Sequence, residues 1–143
     1  QRDDGAPPPV DLGAELRTGT FLLAQIAQGH VHACHDLSDG GLAVAAAEMC
    51  LASRMGASLE LAEDAASATG WWFGEDQGRY LLAVPADRAT IVLRDASAAG
   101  VLARRVGRTG GDALILGGES PISLSQLRET HEGWLAGYMA GSS

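Results

Sequence analysis

The sequence has 143 residues, enough for one domain, and 46% of them are hydrophobic, which is sufficient for an ordinary core. Its 10 basic and 18 acidic residues give a net charge of −8, so the chain lacks the basic surface that binds nucleic acids or acidic membranes. No segment approaches the roughly 20 uninterrupted apolar residues of a membrane span, and no signal peptide is visible. We therefore expect a cytoplasmic protein without nucleic-acid or membrane partners.

The first segment, QRDDGAPPPV (residues 1–10), predicts an extended linker, because consecutive prolines disfavour helix and strand alike. We place the domain over residues 11–143. Because the chain opens on Gln1 rather than Met, we expect it to be a piece of a longer protein.

Four segments have the apolar spacing or the composition of helices. They span residues 11–28, 41–55, 86–100 and 122–139. In the first, the spaced apolar residues are Leu12, Leu16, Leu23 and Ile26. The second is apolar on nearly every side, which is typical of a buried helix, and Gly56 stands where a left-handed residue would end it.

Short strand-like segments alternate with these helices. They span residues 31–36, 57–61, 79–85, 101–107 and 112–117. The intervening RTGG predicts a hairpin between the last two. Residues 62–70 read as a loop, and the adjacent Trp71 and Trp72 are assigned to packing or to inter-domain contacts. Together the elements predict an α/β (α+β) sandwich, and the hairpin would make its β-sheet mixed.

Histidines and cysteines raise the question of a metal site. His30 and His32 would share one face of a strand while His35 points to the other, so they cannot form a simple three-ligand site. Of the three, only His35 stands beside other candidate chemistry. Cys34 and Cys50 have neither CxxC nor paired metal spacing, which predicts reduced, buried thiols.

The stretch CHDLSDGGL combines a strand, a glycine turn and the start of an apolar helix. The first N–H groups of a helix are unpaired and attract anions, and Gly40 and Gly41 allow close approach. Asp36 and Asp39 would repel a phosphate, so either Mg²⁺ bridges them to it or a turn residue, Ser38 or Asp39, caps the helix. A capped structural turn and a ligand pocket both remain open at this point.

A second polar cluster, FGEDQGRY, precedes the strand at 79–85. Glu75 and Gln77 offer the acceptors and the amide that recognise an amide or a ribose. Arg79 is suited to clamp a phosphate or to pair with Glu75. The alternative is an exposed loop held by that internal pair. Because the sequence has neither a P-loop nor any lysine, a nucleotide would be held mostly elsewhere.

The order of four motifs resembles the C-terminal part of the phosphoribosylformylglycinamidine synthase family. These motifs are VHACHDLSDGGLAVAAAEM, FGEDQGRYLLAV, VGRTGGDALIL and LSQLRETHEGWL, and they span nearly the whole chain. That family is similar in architecture to aminoimidazole ribonucleotide synthase and selenophosphate synthetase, in which an N-terminal ATP-binding domain precedes a C-terminal α/β domain. The resemblance implies the second of two such C-terminal domains in one enzyme.

The resemblance implies an ATP-dependent ligase of purine biosynthesis, which converts formylglycinamide ribonucleotide to formylglycinamidine ribonucleotide with glutamine-derived ammonia. ATP and Mg²⁺ would be bound mostly by N-terminal domains outside this chain, and a glutaminase subunit or domain would be a partner. The isolated chain is then expected to be inactive and to self-associate through apolar surface that normally meets sister domains. Other AIR synthase-related ATP-using enzymes, a non-catalytic assembly module and a stand-alone binding protein are the alternatives.

The same resemblance supplies candidate pocket residues and assigns none of them to catalysis or to metal binding. The departure from the family pattern is Asp76, where a serine is expected. The candidates are His35, Asp36, Ser38, Asp39, Gly40 and Gly41 from the first motif, and Glu75, Gln77 and Arg79 from the second.

Overall fold

A computed structural model describes residues 10–139 and 141, with the backbone alone for 134–137. The predicted linker therefore lies outside the described residues except for Val10. The fold class is confirmed, because helices and a mixed sheet form in the described part of the chain. The elements are α1 (Leu12–Ala27), β1 (Ala33–Asp36), α2 (Gly41–Ser53), β2 (Ala57–Leu59), α3 (Ala68–Phe73), β3 (Tyr80–Ala83), α4 (Ala89–Ala98), β4 (Gly107–Thr109), β5 (Ala113–Leu116), β6 (Ile122–Ser123) and α5 (Leu124–Met139).

The described residues divide into two compact units. The first unit contains the residues up to Gly41 together with Glu75–Arg105, and the second contains Leu42–Gly74 together with the residues from Val106 onward. β1 and β3 form an antiparallel ladder in the first unit, and the other four strands form one sheet in the second.

The core of the first unit lies between α1 and α4. Phe21 and Leu22 of α1 pack with Val92 and Ala96 of α4, and all four are buried. Partly buried side chains of β3 and of the segments that follow β3 and α4 complete this cluster; they are Leu82, Val84 and Val101. Helix α1 begins at the predicted place because Asp11 accepts a hydrogen bond from the Ala14 N–H at 2.9 Å.

The buried face of α1 is not the apolar row that its sequence suggests. The spaced leucines and isoleucine are exposed, at 73% for Leu12, 73% for Leu16, 70% for Leu23 and 45% for Ile26. Phe21, Leu22 and Gln25 are buried instead. The row has helical periodicity, but periodicity does not tell which of two apolar faces a helix packs.

Gln25 is a buried polar residue whose partners explain the position of His30. The Gln25 Oε1 atom lies 2.9 Å from His30 Nδ1, and its Nε2 donates to Asp95 at 3.5 Å. His30 and His32 precede β1, so the expectation that they share a strand face with each other is wrong. Arg94, then Gln25, then the charge of His30 lower the pKa of Asp95.

The second unit corrects the predicted hairpin. Its strand order is β4-β2-β5-β6, so β2 lies between the two strands that were expected to pair. β2 pairs antiparallel with β4 and parallel with β5, and β5 pairs antiparallel with β6, which makes the sheet mixed without that hairpin. Residues 101–106, predicted as most of a strand, have no regular structure. The turn residue Gly110 donates to Gly56 O at 2.7 Å rather than closing a β4–β5 ladder.

Helix α2 is buried as predicted, but it does not end in the predicted way. Leu42, Ala45 and Ala46 are at most 3% exposed. Arg54, not Gly56, takes the left-handed conformation after the helix, with φ 55°. Gly56 is instead required by close packing in the second unit, because a Cβ there would lie 2.6 Å from the Ala113 nitrogen.

Helix α3 was not predicted, since residues 62–70 read as a loop. The Ser67 hydroxyl accepts from the Gly70 N–H at 3.0 Å and begins this short helix. Trp71 and Trp72 lie edge to face, with ring centroids 6.3 Å apart. Trp72 is buried, which supports its assignment to packing.

The two cysteines differ in exposure. Cys50 is buried as predicted, whereas Cys34 is exposed, so the prediction for Cys34 is wrong. Cys34 lies on β1, whose ladder has two strands and leaves most of β1 open. Burial raises the pKa of the Cys50 thiol; for Cys34, partial burial and the Asp36 charge both raise the pKa.

Candidate functional site

The two polar motifs meet because β1 and β3 are antiparallel. Asp36 at the end of β1 lies opposite Tyr80 at the start of β3. The Leu37 N–H donates to Arg79 O at 2.9 Å and extends the pairing by one step. The segment that leaves β1 and the segment that enters β3 are therefore held at the same end of the ladder.

A polar pocket of about 240 Å³ opens between these segments in the first unit. Five of the nine candidates line it, namely Asp36, Ser38, Glu75, Gln77 and Arg79. The other four candidates, His35, Asp39, Gly40 and Gly41, do not. The lining residues that the sequence did not single out are Glu15, Leu37, Asp76, Gly78 and Tyr80.

The glycine turn has the conformation that its sequence suggested, but its carboxylate partner comes from the other motif. Gly40 and Gly41 have left-handed φ values of 79° and 63°, which favour glycine. Glu75 Oε1 accepts from the Gly40 N–H at 2.9 Å. The Ser38 hydroxyl donates to the Asp36 carboxylate.

Asp36 is a hydrogen-bonded acceptor at the edge of the pocket. The Ser38 hydroxyl and, secondarily, a backbone hydrogen bond lower the pKa of Asp36 below its ordinary 3.8. His35 Nδ1 lies 2.6 Å from Asp36 O and 3.6 Å from Asp36 Oδ1. Asp36 therefore remains ionised at neutral pH.

We expect Ser38→Ala to raise the pKa of Asp36 toward 3.8, because it removes the principal hydrogen bond to the carboxylate. A lowered native pKa contributes stability above the unfolded-state value and loses it as pH falls through the native value. The variant should therefore lose a smaller increment of stability over that acid range. The Asp36 carboxyl carbon, followed by NMR against pH, measures the pKa, and an unchanged value contradicts the assignment.

Arg79 is held toward the loop by an acidic neighbour. Its Nη1 lies 3.4 Å from Asp76 Oδ2, and the Arg79 side chain is 28% exposed. Asp76 stands where the family resemblance leads us to expect a serine, and in this chain it supplies a carboxylate partner to the arginine. Because the Asp76 side chain is 61% exposed, this ion pair contributes at most about 1 kcal/mol to stability.

The residues that sequence reasoning missed differ in how they could have been found. Asp76, Gly78 and Tyr80 belong to the second motif and follow from its position. Glu15 comes from α1, which carries no motif, and a Cβ on Gly78 would lie 3.2 Å from Glu15 Cγ. That contact depends on the tertiary fold, so no local sequence pattern could have predicted it.

The acidic lining does not amount to a metal site. Across the described residues, no group of three or more His, Cys, Asp or Glu side chains is arranged to hold a metal ion.

Residues 10–139 also include no helix of sufficient length and apolarity to cross a membrane.

The protein-family comparison matches residues 1–123 to the AIR synthase related protein, C-terminal domain. The chain is 48% identical over 141 residues to the phosphoribosylformylglycinamidine synthase subunit PurL of Azorhizobium caulinodans and 53% identical over 141 residues to that of Methylocella silvestris. Each alignment covers 99% of this chain and 19% of the relative, so the chain spans about a fifth of these curated proteins.

Solved structures show the same fold. Thermotoga maritima PurL complexed with FGAR aligns with a TM-score of 0.72 at 19% identity, over 82% of this chain and 21% of that one. The structure of PurLQS from Thermotoga maritima aligns with a TM-score of 0.73 at 18% identity, over 84% of this chain and 22% of that one. With the family model matching residues 1–123, the chain belongs to the AIR synthase related family, as its C-terminal domain.

Proposed function

We propose that this chain is the C-terminal domain of a phosphoribosylformylglycinamidine synthase. The parent enzyme would be a cytoplasmic ATP-dependent ligase that converts formylglycinamide ribonucleotide to formylglycinamidine ribonucleotide with glutamine-derived ammonia. The observation that carries the proposal is the shared pocket. HDLSDGGL and FGEDQGR, the motifs of the family resemblance, line it together, and relatives with this printed name match 99% of the chain.

The pocket chemistry suits hydroxyl and amide groups of a nucleotide substrate. The Gln77 amide both donates and accepts, the Ser38 hydroxyl adds an acceptor, and Asp36 accepts two donors at neutral pH. Arg79 supplies the positive charge of the pocket lining. In this proposal these groups orient the ligand, and none of them performs a chemical step.

ATP and Mg²⁺ belong to the proposed enzyme, and relatives of known structure include Thermotoga maritima PurL complexed with ATP. The described residues of this chain do not fit a metal ion, because no group of three potential ligands converges. We therefore assign the Mg²⁺ and most of the ATP contacts to N-terminal domains of the parent enzyme. The isolated chain should then show no ATP turnover.

A domain replacement tests the function. In the Azorhizobium caulinodans PurL, the matched fifth of the chain is replaced by this sequence, and formation of formylglycinamidine ribonucleotide from FGAR, ATP and ammonia is measured. We expect turnover, and at least a tenfold loss (about 1.4 kcal/mol of barrier) in both Gln77→Ala and Arg79→Met versions. A folded chimera without activity contradicts the proposal.

A non-catalytic assembly module is the second candidate, favoured by the Glu75–Gly40 hydrogen bond, which joins the two motifs without a ligand. For this candidate, Gln77→Ala and Arg79→Met should lower the melting temperature of the chimera and leave its rate per folded molecule intact. The ligase proposal predicts the opposite: the melting temperature stays unchanged while the rate falls.

The proposed partners follow from the same assignment. They are the N-terminal ATP-binding domains and a glutaminase, in line with a relative whose structure is titled PurLQS. The exposed apolar row of α1 supports the expected self-association of the isolated chain, because Leu12, Leu16 and Leu23 are each at least 70% exposed.

A further inference from the structure

Glu75 joins two segments that lie far apart in the sequence. Its Oε1 accepts from the Gly40 N–H across 35 positions of the chain. Glu75 itself is exposed and lines the pocket, so burial does not explain why its carboxylate points at the turn. At the turn, Gly40 and Gly41 have left-handed φ values; the Gly41 N–H donates to Ser38 O at 3.1 Å, whereas the Gly40 N–H donates to Glu75.

We propose that Glu75 is a positioning residue that holds the DLSDGG turn against the FGEDQGR loop and keeps the Gly40 amide closed to ligand anions. For the identity of the pocket as a ligand site, this inference rests on the proposed function. Glu75 adds specificity to that function, because an anion must displace a carboxylate already bound to the amide.

The charge of the pocket lining also opposes the binding of anions. Its lining carries one guanidinium, that of Arg79, against four carboxylates, those of Glu15, Asp36, Glu75 and Asp76. A bare phosphate in this space meets a repulsive field, whereas hydroxyl or amide donors meet acceptors. The ligand part that this pocket receives is therefore an uncharged, donor-rich group of the ribose or amide class.

Amide NMR of the full 143-residue chain, with inorganic phosphate as the probe, tests both parts of this role. In Glu75→Ala, we expect the Gly40 amide to exchange its hydrogen about tenfold faster, since one hydrogen bond is lost, and to shift on addition of phosphate. Glu75→Gln keeps an acceptor oxygen without the charge. It should stay within about twofold of the unsubstituted exchange rate and show no phosphate shift.

Asp76→Ala is the matched control, because it removes a carboxylate from the same pocket and leaves the Gly40 acceptor in place. Equal phosphate responses in Glu75→Ala, Glu75→Gln and Asp76→Ala would show that charge alone matters, and unchanged Gly40 exchange in Glu75→Ala would show that Glu75 holds nothing. Either result overturns the proposal. If Glu75→Ala does not fold, Glu75→Asp, which withdraws the carboxylate by one methylene, takes its place in the exchange measurement, and the same increase in Gly40 exchange is expected. None of these measurements uses ligase turnover, so they remain decisive if the proposed function fails.

Discussion

Gly107→Ala should destabilise the second unit by about 3 kcal/mol, because the substitution forces a methyl group into the backbone of the neighbouring strand. Gly107 lies opposite Leu59 in the β4–β2 ladder. A Cβ at this position would overlap the Ser58 carbonyl oxygen and lie 2.8 Å from Leu59 Cα. Backbone atoms of a paired strand cannot turn aside as a flexible side chain can, so β4 has to separate from β2.

Denaturant unfolding, with amide exchange of β2 as the local readout, measures this loss. Gly133→Ala is the control, because it adds the same methyl group within α5, where no heavy atom outside the helix backbone lies within 4 Å of the added Cβ. We expect that control to be neutral or to stabilise by about 0.5–1 kcal/mol, as alanine does relative to glycine inside a helix. Similar unfolding curves for the two variants would contradict the close packing of β4 on β2.

The expectation that the two motifs share a pocket came from the family resemblance, and the strand pairing in the structure gives the physical reason why they meet. The first motif follows one strand and the second precedes another, so antiparallel pairing of these strands places both at one end of the ladder. The tight turn at Gly40 and Gly41 was predictable from the sequence, because its left-handed backbone is the conformation that glycine permits. What the sequence did not disclose is which carboxylate accepts from the turn. Several acidic residues stand nearer to Gly40 in the chain than Glu75 does, Asp36, Asp39 and Glu48 among them.

The failed predictions share a physical cause, which is that local pattern carries no information about non-local pairing. RTGG has the composition of a hairpin turn, yet its glycines bond with Gly56, and β2 inserts between the flanking strands. Gly56 was read as a helix stop, although its role is to let Ala113 approach. Glu15 was not predicted to line the pocket for the same reason, because the position of its helix depends on the core of the first unit.

Phe21→Ala should cost about 3–5 kcal/mol of the free energy of unfolding of the first unit, because it deletes a buried aromatic ring and leaves a cavity. Phe21 is 7% exposed and packs with Val92 and Ala96 of α4. The substitution also loosens the helix that brings Glu15 to the pocket, so the amide signals of residues 75–80 should shift or broaden in the variant. Urea unfolding and the same NMR spectra measure the two effects.

Leu23→Ala is the matched control on the same helix, two residues away and 70% exposed. A surface truncation of this kind should change the free energy of unfolding by no more than about 0.5 kcal/mol. Comparing the two variants therefore shows which apolar face of α1 forms the core, which the periodicity of the sequence did not determine. A larger loss for Leu23→Ala than for Phe21→Ala would mean that the leucine row is the packed face, and the placement of Glu15 at the pocket would then be wrong as well.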